Sequence, residues 1–79
     1  MKNHIKVYFK HFDYAVPSEV MCERCGSLAV DIHHIQGRGN DKDIIDNLMA
    51  LCRKCHTLAH ESISKKDMQM VHDKFMLEN

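Results

Sequence analysis

Two short apolar stretches in the middle of the chain predict a β-hairpin. Residues 28–35 carry apolar side chains at every second position, at Leu28, Val30 and Ile32, and they are rich in β-branched residues, which favours a strand. The apolar run Leu48–Leu51 suits the returning strand. The polar, glycine-bearing stretch between the two is expected to form the connecting loop.

Two adjacent histidines occupy the first predicted strand. Successive side chains of a flat strand point to opposite faces, so Asp31 and His33 are expected on one face. Ile32 and His34 are then expected on the other face. His33 and His34 can therefore serve one site only if the strand bends or bulges at that pair. Otherwise Asp31, rather than His34, shares the site with His33.

The second half of the chain predicts two helices. The first begins near Cys55 and places His56 and His60, four residues apart, on one face. The second covers residues 62–79. Its expected N-cap and apolar stripe are Ser64, followed by Met68, Val71 and Phe75.

The N-terminal residues 1–16 fit two interpretations. The alternation of apolar side chains from Ile5 to Phe9 would suit a short strand, whereas a helix would place Phe9 and Phe12 on one face. Pro17 ends the segment, because it lacks a backbone N–H and favours extended geometry in the residue before it. In either case we expect a small cap that packs on the rest of the chain.

Four cysteines form two Cys-x-x-Cys pairs that flank the predicted hairpin. A core built from 79 residues supplies only about 3–5 kcal/mol of net stability, so a staple is expected. The N-terminus lacks the apolar region of a signal peptide, so we expect a cytoplasmic, reducing setting, in which such pairs bind metal rather than form disulfides. The sequence therefore predicts a structural zinc held by Cys22, Cys25, Cys52 and Cys55.

The composition is electrically balanced. Eleven Lys and Arg side chains stand against eleven Asp and Glu side chains, so the formal net charge is zero. Proteins that bind nucleic acid tightly on their own usually carry a basic excess, and the balance argues against such binding here. No apolar run approaches the roughly 18–20 residues of a membrane span, so no membrane partner is expected. With no linker in the sequence, residues 1–79 are expected to form one domain.

The histidines predict a second metal site beside the zinc. A His56 and His60 pair at this spacing is well suited to hold a metal, and neutral imidazole is a common ligand for transition metals. Closure of the zinc site brings the strand that carries His33 against their helix. The alternative is a set of buried histidines that form hydrogen bonds within a small core.

The order of these residues resembles that of the HNH endonuclease family. The resemblance covers roughly residues 20–60. This stretch contains, in order, the pair His33-His34, Asn47, and His56 directly after a Cys-x-x-Cys, together with the four-cysteine frame. The resemblance implies a small α+β fold, in which a ββα-metal (HNH, treble-clef-like) module is stapled by the four-cysteine zinc and extended by a short N-terminal cap and a C-terminal helix. It also implies a single nuclease domain that hydrolyses phosphodiester bonds in DNA.

The resemblance further implies a role for each matching residue. His33, His56 and His60 would hold one catalytic divalent cation, which could be Mg²⁺, Mn²⁺, Ni²⁺ or Zn²⁺. His34 would be the general base that takes a proton from the attacking water, and Asn47 would brace the loop and orient that base. The products would carry 5′-phosphate and 3′-hydroxyl ends.

Two more residues are candidates for supporting contacts. Asp31, two residues before His33, could accept a hydrogen bond from a metal-binding imidazole. Arg38, in the polar loop, could contact a phosphate, although an exposed loop arginine is more often only solvated.

Two other functions explain part of the pattern. A non-catalytic treble-clef zinc module that binds nucleic acid or protein accounts for the cysteines but leaves the histidines and Asn47 as coincidences. A zinc-dependent hydrolase of small molecules could use the open position of a three-histidine metal, but so short a chain has little sequence from which to build a pocket. For the nuclease we expect DNA as the partner, and a homodimer or a larger protein partner is the alternative source of further phosphate contacts. Phage packaging and restriction systems use such domains, and the sequence does not choose between these roles.

Overall fold

The computed structural model describes residues 1–39 and 41–79, in which three helices pack around a two-stranded antiparallel sheet. In chain order the elements are α1 (Asn3–Phe12), a 3₁₀ turn (Pro17–Glu19), β1 (Asp31–His34), a second 3₁₀ turn (Ile45–Asn47), β2 (Leu48–Leu51), α2 (Arg53–Glu61) and α3 (Lys65–Glu78). The predicted small α+β class is confirmed, and β1, β2 and α2 form its ββα centre.

The N-terminal cap is a helix, so of its two interpretations the strand is wrong. The side chains that pack on the sheet recur at helical spacing, and they are Ile5, Tyr8, Phe9 and Phe12. The helix ends at Asp13, which adopts the left-handed conformation with φ 59° and donates its backbone N–H to the carbonyl of Lys10. A helix buries all four of these side chains against one surface, whereas a strand would have divided them between two faces.

β1 and β2 pair over their whole length in regular antiparallel register. Directly opposite residues of such a pair share a face, so the hairpin has two distinct sides. Leu48 and Ala50 lie on one side, in a core with the aromatic side chains of α1. Met49 and Leu51 lie on the other side, in a core with the cysteines and α3. The hairpin is thus the middle layer between α1 and the two C-terminal helices.

β1 is shorter than the strand predicted over residues 28–35. Leu28 forms an isolated bridge with Met21 instead of pairing with β2, and its side chain is about half exposed, as is that of Val30. The alternation of apolar residues therefore belongs partly to the turn around the first cysteine pair. The sheet begins only at Asp31, where the chain reaches β2.

Both predicted C-terminal helices are present. The Ser64 hydroxyl accepts the backbone N–H of Asp67 at 3.1 Å, which confirms Ser64 as the N-cap of α3. Met68 is buried in the core, and Phe75 makes an edge contact with an aromatic ring of α1. The predicted stripe omitted His72, which is fully buried. None of the helices within residues 1–39 and 41–79 has the length and apolar character that a bilayer span needs.

A buried polar network joins these elements. His72 Nδ1 lies 2.6 Å from the Glu23 carboxylate and its Nε2 lies 2.7 Å from the Ile45 carbonyl, an arrangement that favours the doubly protonated ring. The Tyr8 hydroxyl and the Ala50 backbone N–H donate to the other Glu23 oxygen. Burial opposes the charged ring, but the hydrogen bond and the charge of Glu23 outweigh it and raise the pKa of His72.

Candidate metal centres and active site

The four cysteines come together at one point and could hold a zinc ion. Their sulfur atoms all lie within 4.8 Å of one another. Cys25 Sγ is 3.6 Å from Cys52 Sγ, close to the separation of about 3.8 Å that tetrahedral zinc imposes on two thiolates. Gly26, with φ 83°, makes the turn after the first pair, and the N-terminus of α2 presents the second pair.

The surroundings of this cluster suit a dication. The Arg24 guanidinium lies 3.6 Å from Cys55 Sγ, where its charge would offset part of the negative charge of four thiolates. Hydrogen bonds from Ser27 lower the pKa of Cys25 to about 6, whereas burial raises the pKa of Cys55 to about 12. Because four adjacent thiols cannot all ionise by themselves at neutral pH, a bound metal ion is what would make them thiolates.

Three histidines from two elements form a second cluster. His33 lies on β1, while His56 and His60 lie on one face of α2, and each ring centroid is 4.8–5.1 Å from the other two. One ring nitrogen from each falls within 4.8 Å of the others. The Nε2 atoms of His56 and His60 are 3.1 Å apart, near the separation of about 3.3 Å expected for two imidazoles on one metal ion.

The chemistry of this cluster fits a divalent cation. Asp31 accepts the Nδ1 hydrogen of His56 at 2.8 Å, which fixes the tautomer with Nε2 free to bind metal. Burial, assisted by the neighbouring His56 and His60, lowers the pKa of His33 to about 4. His33 is therefore neutral at neutral pH, which is the form that binds metal. Three imidazoles leave at least one coordination position open to a ligand.

His34 lies on the opposite face of β1. The strand neither bends nor bulges at the pair, so Asp31 rather than His34 shares the site of His33, the second of the two outcomes expected from the register. His34 donates from Nε2 to the Asp43 carboxylate at 2.8 Å, because an ionised carboxylate only accepts. Its Nδ1 atom is buried and has no hydrogen-bond partner among the described residues.

A cleft of about 720 Å³ runs along β1 and is lined by residues from both faces of the strand. The three-histidine cluster lines one part of it and His34 another, while His4 and Arg38 line the wall nearest α1. Arg38 is exposed on the loop and lines the cleft. His33 and His34 therefore open onto the same space, although they leave the strand in opposite directions.

Asn47 lies buried beneath the loop that connects the strands. Its Oδ1 accepts the backbone N–H of Gln36 at 2.7 Å. Its Nδ2 donates to the carbonyls of Gly37 and Lys42, at 3.1 and 2.9 Å. The amide thus joins both ends of the loop, which also carries Asp43, the partner of His34. The resemblance implied a bracing role for Asn47, and that role stays a prediction beside these hydrogen bonds.

The model of the HNH endonuclease family matches residues 22–62, just over half of the chain. The chain belongs to the HNH endonuclease family. The HNH match spans both cysteine pairs, the hairpin and α2, and leaves α1 and α3 outside it. No curated protein and no solved structure matches the chain.

Two residues beside the HNH histidines escaped the sequence interpretation. Asp43 forms a hydrogen bond with His34, and the His4 ring packs against the same imidazole at a tilt, with centroids 4.5 Å apart. Asp43 is one of two aspartates in the loop, and spacing alone does not distinguish it from Asp41. His4 lies on α1, outside the HNH match, and neither of the two histidines in that helix carried a signal.

Proposed function

We propose that this chain is a metal-dependent endonuclease that hydrolyses phosphodiester bonds in DNA. The observation that carries the proposal is the convergence of His33, His56 and His60 from two elements, with their ring nitrogens within 4.8 Å of one another. The cleft beside them is also lined by His34, the proposed proton acceptor. Membership of the HNH endonuclease family supports the same reaction.

The metal would be held by His33, His56 and His60. A divalent cation at this position supplies charge stabilisation for the phosphoryl oxygens and for the leaving 3′ oxygen. Asp31 orients His56 through the 2.8 Å hydrogen bond and also lies 3.4 Å from the Arg53 guanidinium. The carboxylate thereby keeps one ligand in its binding tautomer.

His34 would take the proton of the attacking water. Its Nε2 hydrogen is committed to Asp43, so the lone pair resides on Nδ1, the atom without a partner in the described residues. Asp43 also stabilises the imidazolium that forms when Nδ1 accepts the proton. Asn47 holds the loop that carries Asp43, and Arg38 at the cleft wall would contact a substrate phosphate.

Cleavage of supercoiled plasmid DNA tests this function. The native chain, His34→Ala and the control His11→Ala would be compared with Mg²⁺, Mn²⁺, Ni²⁺ or Zn²⁺. His11 is an exposed histidine on α1, so it controls for the loss of an imidazole. Loss of the base is expected to slow nicking about 10²–10⁴-fold, whereas His11→Ala should nick at the native rate. Equal nicking by His34→Ala would refute the base assignment, and no nicking with any cation would refute the enzyme.

A non-catalytic zinc module that binds nucleic acid or protein is the second candidate. The zero net charge favours it, because few phosphate contacts are available to a balanced surface. Metal counting on the purified chain separates the two functions. One tightly held ion per chain supports the module, whereas an additional ion that is lost in His56→Ala supports the nuclease. For the nuclease, a homodimer or a larger partner would add the missing phosphate contacts.

A further inference from the structure

A second group of metal-binding side chains lies on the α1 side of the sheet. It consists of His4 from α1, His34 from β1 and Asp43 from the loop, and one ligand atom from each falls within 4.8 Å of the others. His4 and His34 are both 8% exposed, and Asp43 is partly buried. Two imidazoles and one carboxylate are a donor set that divalent transition metals accept readily.

Two features show that this group is not satisfied by its own hydrogen bonds. His34 Nδ1 is buried and has no partner among the described residues. The His4 and His34 rings are in contact at a tilt of 50°, and no hydrogen bond joins their nitrogens among the described residues. Among the described residues, Asp43 is the only member with two polar contacts, to His34 at 2.8 Å and to Asn3 at 3.0 Å.

We propose that His4, His34 and Asp43 form a second transition-metal site, and that an ion bound there prevents His34 from acting as the general base. The ion would be Zn²⁺ or a similar divalent transition metal rather than Mg²⁺, because two of the three donors are imidazoles. It would replace the proton that His34 and Asp43 share. Their 2.8 Å separation would have to widen to about 3.3 Å, the spacing of two ligands on tetrahedral zinc.

The effect on His34 follows from the chemistry of imidazole and rests on the proposed nuclease function. A neutral ring has one N–H and one lone pair. If the metal binds Nε2, the proton moves to Nδ1, which can then no longer accept a proton from water. If the metal binds Nδ1, the accepting lone pair is occupied directly. In both cases the base is lost while the three-histidine cluster stays intact.

The two histidine sites use different side chains, although residues of both line the same cleft. His33 and His34 leave β1 on opposite faces, so the cation on His33 and the ion on His34 have different partners. His4 lies outside residues 22–62, so the second site depends on the helix that this chain adds to its HNH region. Through α1, transition-metal ions would thereby control the general base of the HNH region.

Metal binding is tested in a background without the first site. The double variant His56→Ala/His60→Ala would be titrated with Zn²⁺ by calorimetry, and bound metal would be counted after buffer exchange. We expect one ion beyond the zinc of the cysteines. Adding His4→Gln or Asp43→Asn should weaken that ion about tenfold or more, at least as much as the loss of an outer partner typically does. Adding His11→Gln should leave it unchanged.

Inhibition is tested by nicking in Mg²⁺ or Mn²⁺ with increasing Zn²⁺, each rate being divided by the rate of the same variant without Zn²⁺. The Zn²⁺ concentration for half inhibition should rise about tenfold or more in His4→Gln and stay unchanged in His11→Gln.

Absence of the extra ion in the double variant, or equal affinity in His4→Gln, would overturn the site whether or not the chain cuts DNA. If the ion binds but does not inhibit, the proposed effect on His34 is refuted. If no variant nicks, the proposed nuclease fails and the binding data alone decide the site.

Discussion

The carboxylate of Asp31 lies 2.8 Å from Nδ1 of His56, a contact between the first residue of β1 and the first turn of α2. It leaves Nε2 of His56 facing Nε2 of His60 at 3.1 Å. A strand residue thus prepares a helix residue for metal, and the strand that carries it runs through the histidine pair without a bulge. Because the strand is regular, the side chains of His33 and His34 lie on opposite faces of β1.

Replacement of Asp31 with Ala should weaken metal binding at the three-histidine cluster by about 10–100-fold, because His56 loses the acceptor that fixes its tautomer. The matched control is Asp46→Ala, which removes an exposed aspartate elsewhere. Calorimetric titration of both variants with Zn²⁺ measures the difference. Equal affinities would show that Asp31 does not orient the ligand.

Removal of the cysteine-bound zinc should unfold the chain. Structural zinc contributes roughly 10–16 kcal/mol in small domains, more than the roughly 3–5 kcal/mol expected from a core of this size. Far-UV circular dichroism during titration with a strong chelator measures the loss of helix, and Cys55→Ser should show the same loss without chelator. His56→Ala/His60→Ala should keep its helices before chelation. Retention of native helicity in metal-free protein would contradict a structural role for this zinc.

Replacement of Asn47 with Ala should lower the free energy of unfolding by about 1–3 kcal/mol, since it leaves buried backbone groups of the loop without partners. Asn79→Ala, at the exposed C-terminus, is the control. Urea unfolding monitored by circular dichroism gives both values. Indistinguishable midpoints would mean that the loop does not depend on this amide.

The Glu23 and His72 pair predicts a pH dependence of stability. The pKa of His72 is raised in the folded chain, so its contribution is fully present below the unfolded value of about 6.5 and is lost as the pH rises through the folded value. Native protein and His72→Gln would be unfolded in urea at pH 6 and pH 9, both with zinc bound, so that the zinc contribution cancels. The stability difference should be larger at pH 6. A larger difference at pH 9 would contradict an imidazolium at His72.

The fold was predictable from the sequence where the signal was local. The cysteine spacing predicted the cluster, and Ser64 predicted the start of α3. The strand over residues 28–35 was predicted too long, because alternation cannot distinguish a sheet from the extended turn that pairs Leu28 with Met21. Helix and strand could not be separated at the N-terminus, since the deciding factor is the face that the hairpin offers to α1.

The partners within the sites were less predictable than the ligands. Asp31 was anticipated because it shares a strand face with His33. Asp43 and His4 reach His34 from a loop and a distant helix, so their contact depends on the tertiary fold. His72 lies 49 residues from Glu23, and no local pattern connects the two. A buried ion pair of this kind is visible only when α3 is packed.

The proposal that this chain is a metal-dependent nuclease is tested most directly by the rate of plasmid nicking. The native chain and His56→Ala would be compared with Mg²⁺, Mn²⁺, Ni²⁺ or Zn²⁺, and the ends of the products would be determined. His56 contributes a ligand atom to the three-histidine cluster, so its loss should abolish the cation-dependent rate while the cysteine zinc keeps the chain folded. We expect nicking by the native chain, with 5′-phosphate ends, and none by the variant. Equal nicking by the two proteins, or no nicking by the native chain with any of these cations, would contradict the account.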